Sequence, residues 1–359
     1  MRYTISLAYL GVHTITGFEK GEAEMEKGKI FIRTGIFLAL IVFFTMFVAM
    51  SSFAQPARRI TLNYVSFMPL SNFEFAQFRP LFIDRINEKA KGELIINVRG
   101  GPEVIPAYDL AGAAQKGTID MTMIPTGFLE NIVPGADATR LSELTPFEER
   151  KTGAYDYILE QYKKAGLYYL GRQQTQRERF FYLFTKKRCE KPQDFVGLKL
   201  TSSPSFHALY KGLGATVTHT AMPEYYSALE KGVVDGLGTS LFFWSGSRIY
   251  EVTKYAIDHP FYTPTPAVLL NLNSWNRLPK HLQNLLTESL LATLKSWPDI
   301  AAKKIEEDKE KGRKAGVEFI KLSPDVAKWF IKIAYEEAWK DEERKAPEVA
   351  RRLRKLLTK

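Results

Sequence analysis

The chain has 359 residues, 45% hydrophobic and 25% charged, which is enough for one large or two medium cores and ordinary for a globular protein. Its formal net charge is +10, but lysine and arginine are scattered. No aromatic-interleaved basic patch of the kind that grips single strands is present, so nucleic acid is excluded as an expected partner. Cys189 is the single cysteine, so neither an internal disulfide nor a cysteine-based zinc cluster is available.

Residues 36–50, IFLALIVFFTMFVAM, form an apolar run preceded by Lys27, Lys29 and Arg33 and followed by the small–x–small site Ser52-Phe53-Ala54. This is the order of a secretory signal peptide, and the run is short for a spanning helix, which needs about 20 apolar residues. An uncleaved N-terminal anchor is the competing reading. Met25 makes a better start than Met1, and cleavage after Ala54 leaves Gln55 as the first mature residue. The expected location is a bacterial-type periplasm.

Residues 60–66 (ITLNYVS) alternate as a first strand, and a helical pattern follows over 73–91 through Phe75, Phe78, Phe82 and Ile86, ended by Gly92. Residues 93–98 read as a second strand. A helix stopped by Gly117 then leads through Thr118-Ile119-Asp120 into a third strand ending at Met123. This strand–helix alternation predicts a parallel α/β sheet. Residues 167–170 and 179–185 read as strands crossing towards a second lobe, which continues with 197–201, a helix over 206–212 and 216–218.

Residues 223–236, PEYYSALEKGVVDG, echo AYDLAGAAQKGTIDM of the first half. Pro223 suits a first helical turn, Tyr225, Ala228 and Leu229 share one face, and Gly232 supplies the left-handed stop before a strand over 233–237. Two such units predict two similar α/β lobes around a cleft. Residues 268–271 (VLLN) read as a strand returning to the first lobe. From Pro279 the chain becomes helical and charged; 305–314 reads as a solvated face. Val349, Leu353, Leu356 and Leu357 mark a tail helix that docks on the body. The expected division is 1–54 extension and signal, 55–171 lobe I, 172–265 lobe II, 266–305 return to lobe I, and 306–359 helices packed across both.

No metal-ligand spacing, nucleophile elbow, phosphate loop or dinucleotide fingerprint is present, so catalysis and cofactors are not expected. His207, His219, His259 and His281 lack helical ligand pairing, and Glu224 and Asp235 read as structural. In open α/β sheets a ligand sits outside the carboxyl ends of strands. That rule selects Phe67 after the first strand, Pro125 and Thr126 after the third, and Thr239 after 233–237. Met222 and Trp244 are apolar candidates flanking the same cleft.

The segments LGRQQT (170–175), KPQDFVGLKL (191–200), LGATVTHTAMPEYYSALEKGVVDG (213–236), YEVTKYAIDHPFY (250–262) and LNLNSWNRLPKHLQ (270–283) resemble the solute-binding proteins of tripartite ATP-independent periplasmic (TRAP) transporters, the DctP-like family. The resemblance implies a two-lobed periplasmic receptor that closes by a hinge on a small organic anion and delivers it to a permease of small and large membrane subunits. It also implies a carboxylate-binding arginine after Gly197-Leu198-Lys199-Leu200, where this chain has Thr201. A second departure follows Asp235-Gly236, where Leu237-Gly238-Thr239-Ser240 replaces a more polar segment. Arg172, which matches the family arginine of the crossing stretch, becomes the expected charge partner, ahead of Arg177 and Arg179. Loss of the arginine at Thr201 leaves open a neutral or weakly polar solute. An exported enzyme or a sensor subunit on the same scaffold are the readings from other classes.

Overall fold

β-Branched and aromatic runs of five to seven residues, each bounded by a turn, place most of the strands. In the computed structural model, residues 35, 38–41, 59–173, 179–264 and 266–359 are described. Residues 1–58 and 59–359 form separate units. Within the first, residues 35 and 38–41 are helical and exposed. The Met25 start and the cleavage after Ala54 lie outside the described residues, as does Arg177. No helix among the described residues is long and apolar enough to cross a membrane.

In the second unit β1 (Ile60–Ser66), β2 (Leu94–Gly100), β3 (Met121–Pro125), β4 (Leu167–Arg172) and β10 (Pro266–Asn271) form a sheet in the order β2-β1-β3-β10-β4. β1 is parallel to β2 and β3, and β10 is antiparallel to both β3 and β4. A second sheet joins β5 (Phe181–Thr185), β6 (Lys199–Thr201), β7 (Thr216–Val217), β8 (Gly236–Ser240), β9 (Tyr255–Phe261) and β11 (Glu318–Ile320) in the order β11-β9-β5-β8-β6-β7. Each sheet carries helices, giving two mixed α/β lobes. The chain passes between them from β4 to β5 and back from β9 to β10. The helix Lys280–Lys314 then packs Leu286 and Leu290 into the first lobe's core and reaches the second lobe at Gly312, beside Trp244.

The two echoed units share one hydrogen-bond pattern. Gly117 and Gly232 adopt φ of 76° and 71°, the left-handed region where a side chain is strained. The next N–H, of Thr118 or Val233, returns to Ala113 or Ala228 at 2.9 Å in both. Asp120 then accepts the Asn63 N–H at 2.9 Å, and Asp235 accepts the Lys199 N–H at 2.9 Å. Each acid thus ties its turn to a neighbouring parallel strand, which is a structural role. Because residues 233–235 are used in this turn, β8 begins at Gly236, later than the expected 233.

Two further expectations are corrected. The pattern over 73–91 is broken into α-helix Phe73–Phe78, a π-helical segment Arg79–Asp84 and α-helix Arg85–Lys89. Pro80 lacks the N–H that would continue the α ladder. The face still holds, since Phe75, Phe78, Phe82 and Ile86 are all buried. The charged stretch 305–314 is not solvated throughout. Asp308 is buried and pairs with Lys304, and Lys309 meets Asp258 at 2.8 Å.

The helix Pro324–Lys345 runs along the second lobe through Phe330 and Ala334 and ends in the first lobe. Tyr262 Oη donates to the Ala334 carbonyl at 2.9 Å. At the other end Glu342 accepts from Arg140 Nη1 at 2.7 Å. The tail helix Pro347–Leu357 buries Ala350, Leu353 and Leu357 against the first lobe. Cys189 is buried, and desolvation pushes its thiol up to about 11, which makes it an inert packing residue.

Candidate functional site

The carboxyl ends of β1, β3, β6 and β8, with the β4–β5 crossing, bound the region between the lobes. On the first lobe β3 ends in Pro125 and the turn Thr126–Phe128. On the second, β6 ends in Thr201 and leads to the turn Pro204–Phe206. These two turns touch. A β-carbon placed on Gly127 would collide with Ser205 Oγ, so glycine there permits the lobes to meet. Gly127→Val is expected to weaken ligand capture at least about tenfold, because two further methyls must fit where none does. Titration calorimetry with a bound solute, beside an unchanged circular dichroism spectrum, measures it; unchanged affinity would show that closure does not use this contact.

The expected charge partner takes a different place. Arg172 is fully buried, and its guanidinium is consumed within the protein. Nε and Nη2 donate to Glu149, at 3.0 and 2.7 Å to Oε1. Nη2 also donates to the Leu144 carbonyl at 2.7 Å, and Nη1 to Thr263 Oγ1 and the Pro264 carbonyl at 3.3 and 3.4 Å. Burial opposes its charge, and Glu149 more than compensates, so the guanidinium stays protonated. No N–H group is left over for a ligand. Arg172 therefore anchors the crossing strand to the helix Pro146–Thr152 that carries Glu149.

Its neighbour Gln173 behaves in the opposite way. Gln173 is 3% exposed, and among the described residues neither its Oε1 nor its Nε2 has a hydrogen-bond partner. Its backbone N–H donates to the Pro266 carbonyl at 2.8 Å, which fixes the main chain at the crossing. Thr201 is fully buried, and its Oγ1 also lacks a partner among the described residues. Its carbonyl accepts from Tyr210 Oη at 3.1 Å, and that oxygen accepts from Gly238 N–H at 2.6 Å. Buried polar groups are nearly always paired, which makes the Gln173 amide and the Thr201 hydroxyl candidates for a ligand contact. Tyr162 and Tyr169 also carry unpaired hydroxyls, but their rings pack 4.9 Å apart inside the first lobe.

The remaining sequence candidates divide. Phe67 is buried beyond the end of β1, and Pro125, Met222 and Thr239 are half-buried. Thr126 is buried, and its hydroxyl donates to Asp137 Oδ1 at 3.0 Å, which commits it to the first lobe. Trp244 is corrected to a core residue. It stacks on Phe184 at 4.6 Å and 10°, and its Nε1 donates to Thr253 Oγ1 at 3.0 Å. His207 and His219 pack edge-on at 5.3 Å, a pairing that sequence spacing did not reveal. Burial, then the His219 ring, hold the His207 imidazole below its ordinary value. His259 Nε2 accepts from Leu322 N–H at 2.9 Å, and His281 meets Glu93 at 2.8 Å.

Behind Thr126, Asp137 pairs with Arg140 at 2.5 Å, and Arg140 continues to Glu342. Glu130, Asp137 and Glu342 bring one oxygen each within 4.8 Å. Arg140, with Lys345 at 2.7 Å from Glu130, supplies the positive charge a cation would bring. Burial pushes Glu342 up to about 7, with Arg140 acting against it.

Comparison with known proteins identifies the family and the fold. Residues 68–345 match the model of the bacterial extracellular solute-binding protein family 7, DctP. An uncharacterized protein of Haemophilus influenzae is 26% identical over 260 residues, covering 70% of this chain and 78% of that one. The C4-dicarboxylate-binding periplasmic protein DctP of Rhodobacter capsulatus is 30% identical over 137 residues, 37% of this chain and 41% of that one. Among solved structures, a TRAP periplasmic solute-binding protein of Desulfovibrio salexigens with bound orotic acid superposes with a TM-score of 0.74 at 18% identity, covering 83% of this chain and 97% of that one. A Bordetella pertussis extracytoplasmic solute receptor binding pyroglutamic acid gives 0.71 at 20% identity, with 83% and 99% coverage. The chain belongs to the bacterial extracellular solute-binding protein family 7, the solute receptors of TRAP transporters.

Proposed function

We propose that this receptor captures a small organic acid between its lobes through neutral hydrogen-bonding groups, and passes it to the small and large membrane subunits of a TRAP permease. The observation that carries the reading is Gln173, a buried amide whose polar atoms both lack a partner among the described residues, together with the Thr201 hydroxyl in the same state. Relatives supply the ligand class: receptors of this family bind orotic acid, pyroglutamic acid and, in Haemophilus influenzae, L-gulonate. Export by a signal peptide cleaved after Ala54 belongs to the same reading and places the receptor in the periplasm. Hinge motion about the β4–β5 and β9–β10 crossings would open and close the cleft.

A second reading, a neutral or weakly polar solute, is favoured by the complete use of Arg172 by Glu149 and its neighbours. Both readings are tested by native mass spectrometry of the purified mature protein, followed by denaturation to release a retained compound. An acid is expected, and a neutral compound would select the second reading. Gln173→Ala with Thr201→Val is expected to weaken binding of the recovered compound about tenfold or more, since each truncation removes a ligand hydrogen bond. Equal affinity in the double variant would remove both residues from the site.

A further inference from the structure

Tyr210 carries a hydroxyl that the reading above leaves without a role. It lies on the short helix His207–Gly212, is fully buried, and stacks on Phe206 with ring centroids 6.3 Å apart. Phe206 ends the turn Pro204–Phe206, whose Ser205 is the residue that meets Gly127 of the first lobe. The Tyr210 ring therefore backs the part of the second lobe that reaches the seam.

Its hydroxyl stands at the end of the β6–β8 pairing. The register of these parallel strands runs from Leu200 opposite Gly236 to Thr201 opposite Leu237. One step further, Tyr210 Oη accepts the Gly238 N–H at 2.6 Å and donates to the Thr201 carbonyl at 3.1 Å. Ser202 Oγ donates to the Gly238 carbonyl at 2.6 Å, so side chains hold both backbone polar groups of Gly238. Such a bridge fixes how the strand ends stand, because the backbone groups it joins would otherwise be buried without a partner. Glycine at 238 makes room for it. A β-carbon there would lie 2.7 Å from the Phe206 ring and 2.8 Å from Tyr210 Oη. The two stretches that the sequence singles out, at Thr201 and at 237–240, are thus joined by one hydroxyl.

We infer that Tyr210 is a positioning residue for solute capture, whose hydroxyl bridge sets Thr201 at the cleft end of the second sheet. The inference rests on the reading above, in which the Thr201 hydroxyl meets the solute, and adds the residue that holds it in place. Tyr210 acts through the strand and not by contact, since its one hydroxyl proton is committed to the Thr201 carbonyl.

The test is a double-mutant cycle of Tyr210→Phe and Thr201→Val, read by calorimetric titration of the purified receptor with orotate, pyroglutamate and L-gulonate. For whichever acid the native protein binds, each single variant is expected to weaken binding about fivefold or more. The double variant should bind within about twofold of Thr201→Val alone, because Tyr210 acts through a hydroxyl that is no longer there. A purely structural tyrosine would lower the thermal midpoint without that coupling. If Thr201→Val weakens binding and Tyr210→Phe does not, or if the two losses multiply in full, the inference is overturned and the reading of Thr201 stands. Thr201→Val binding as tightly as the native protein removes Thr201 from the site and overturns both. Failure of all three acids on the native protein overturns the organic-acid reading, and this inference with it. Should Tyr210→Phe not fold, Ser202→Ala, which releases only the Gly238 carbonyl, takes its place in the same cycle with the same outcomes.

Discussion

Arg172→Ala is expected to lower the folding free energy by about 3–5 kcal/mol, because it leaves Glu149 as an uncompensated charge inside the first lobe. The geometry supports a value in that range. Glu149 is 1% exposed, and among its described partners Ser142 Oγ, at 2.8 Å, is the other side-chain donor. The Leu144 carbonyl and the Thr263 hydroxyl would also lose a charged donor. Replacing both members, as Arg172→Met with Glu149→Leu, is expected to recover most of the loss, since a well-packed apolar pair needs no desolvation of charge. Urea unfolding of the native protein, the single variant and the double variant measures this through the midpoint at constant slope. A single-variant loss below about 1 kcal/mol would show that water replaces the guanidinium. An intact midpoint with lost ligand binding would return Arg172 to the site.

The two-lobed plan is legible in the sequence because its signals are local. Gly117 and Gly232 are required by a left-handed turn, and Asp120 and Asp235 each hold a neighbouring strand through one backbone N–H. The glycine turns act within a few residues, and each acid stands three residues beyond its glycine, so this spacing survives in the chain. The candidate site was legible only in part. Arg172 and Gln173 are adjacent, and Arg172 is taken up by Glu149, which stands 23 residues upstream in another element. Nothing local to the crossing strand announces that pairing. A buried glutamate in a capped helix, Thr145-Pro146-Phe147-Glu148-Glu149, was the available signal, because an acid one residue beyond a capping box needs its own partner. Trp244 misled for a related reason. Its position beyond β8 suggests the cleft, but Phe184, Thr253 and Gly312, scattered over more than a hundred residues, draw it into the second lobe.

Glu74 makes the stability of the unliganded receptor fall as pH rises from 4 to 8. Its carboxyl has a folded-state value of about 7, against 4.5 for the unburied group. Below 4.5 both states hold the proton, and Glu74 contributes no pH dependence. Between 4.5 and 7 the unfolded chain releases the proton while the folded protein keeps it, so stability declines with pH. Above 7 both states are ionised and the loss levels off at about 3 kcal/mol. Glu342 is also pushed up to about 7 and adds to the same decline, although Arg140 and the acids Asp137 and Glu130 share its titration. Glu74→Gln isolates the first contribution, because it removes one titrating group and leaves the Arg140 network intact. The difference in unfolding free energy between Glu74→Gln and the native protein should therefore shift in favour of the variant by about 3 kcal/mol from pH 4 to pH 8. Chemical denaturation at five or six pH values would resolve it. A difference that stays flat with pH would mean that water or a cation already reaches the carboxyl in the free receptor.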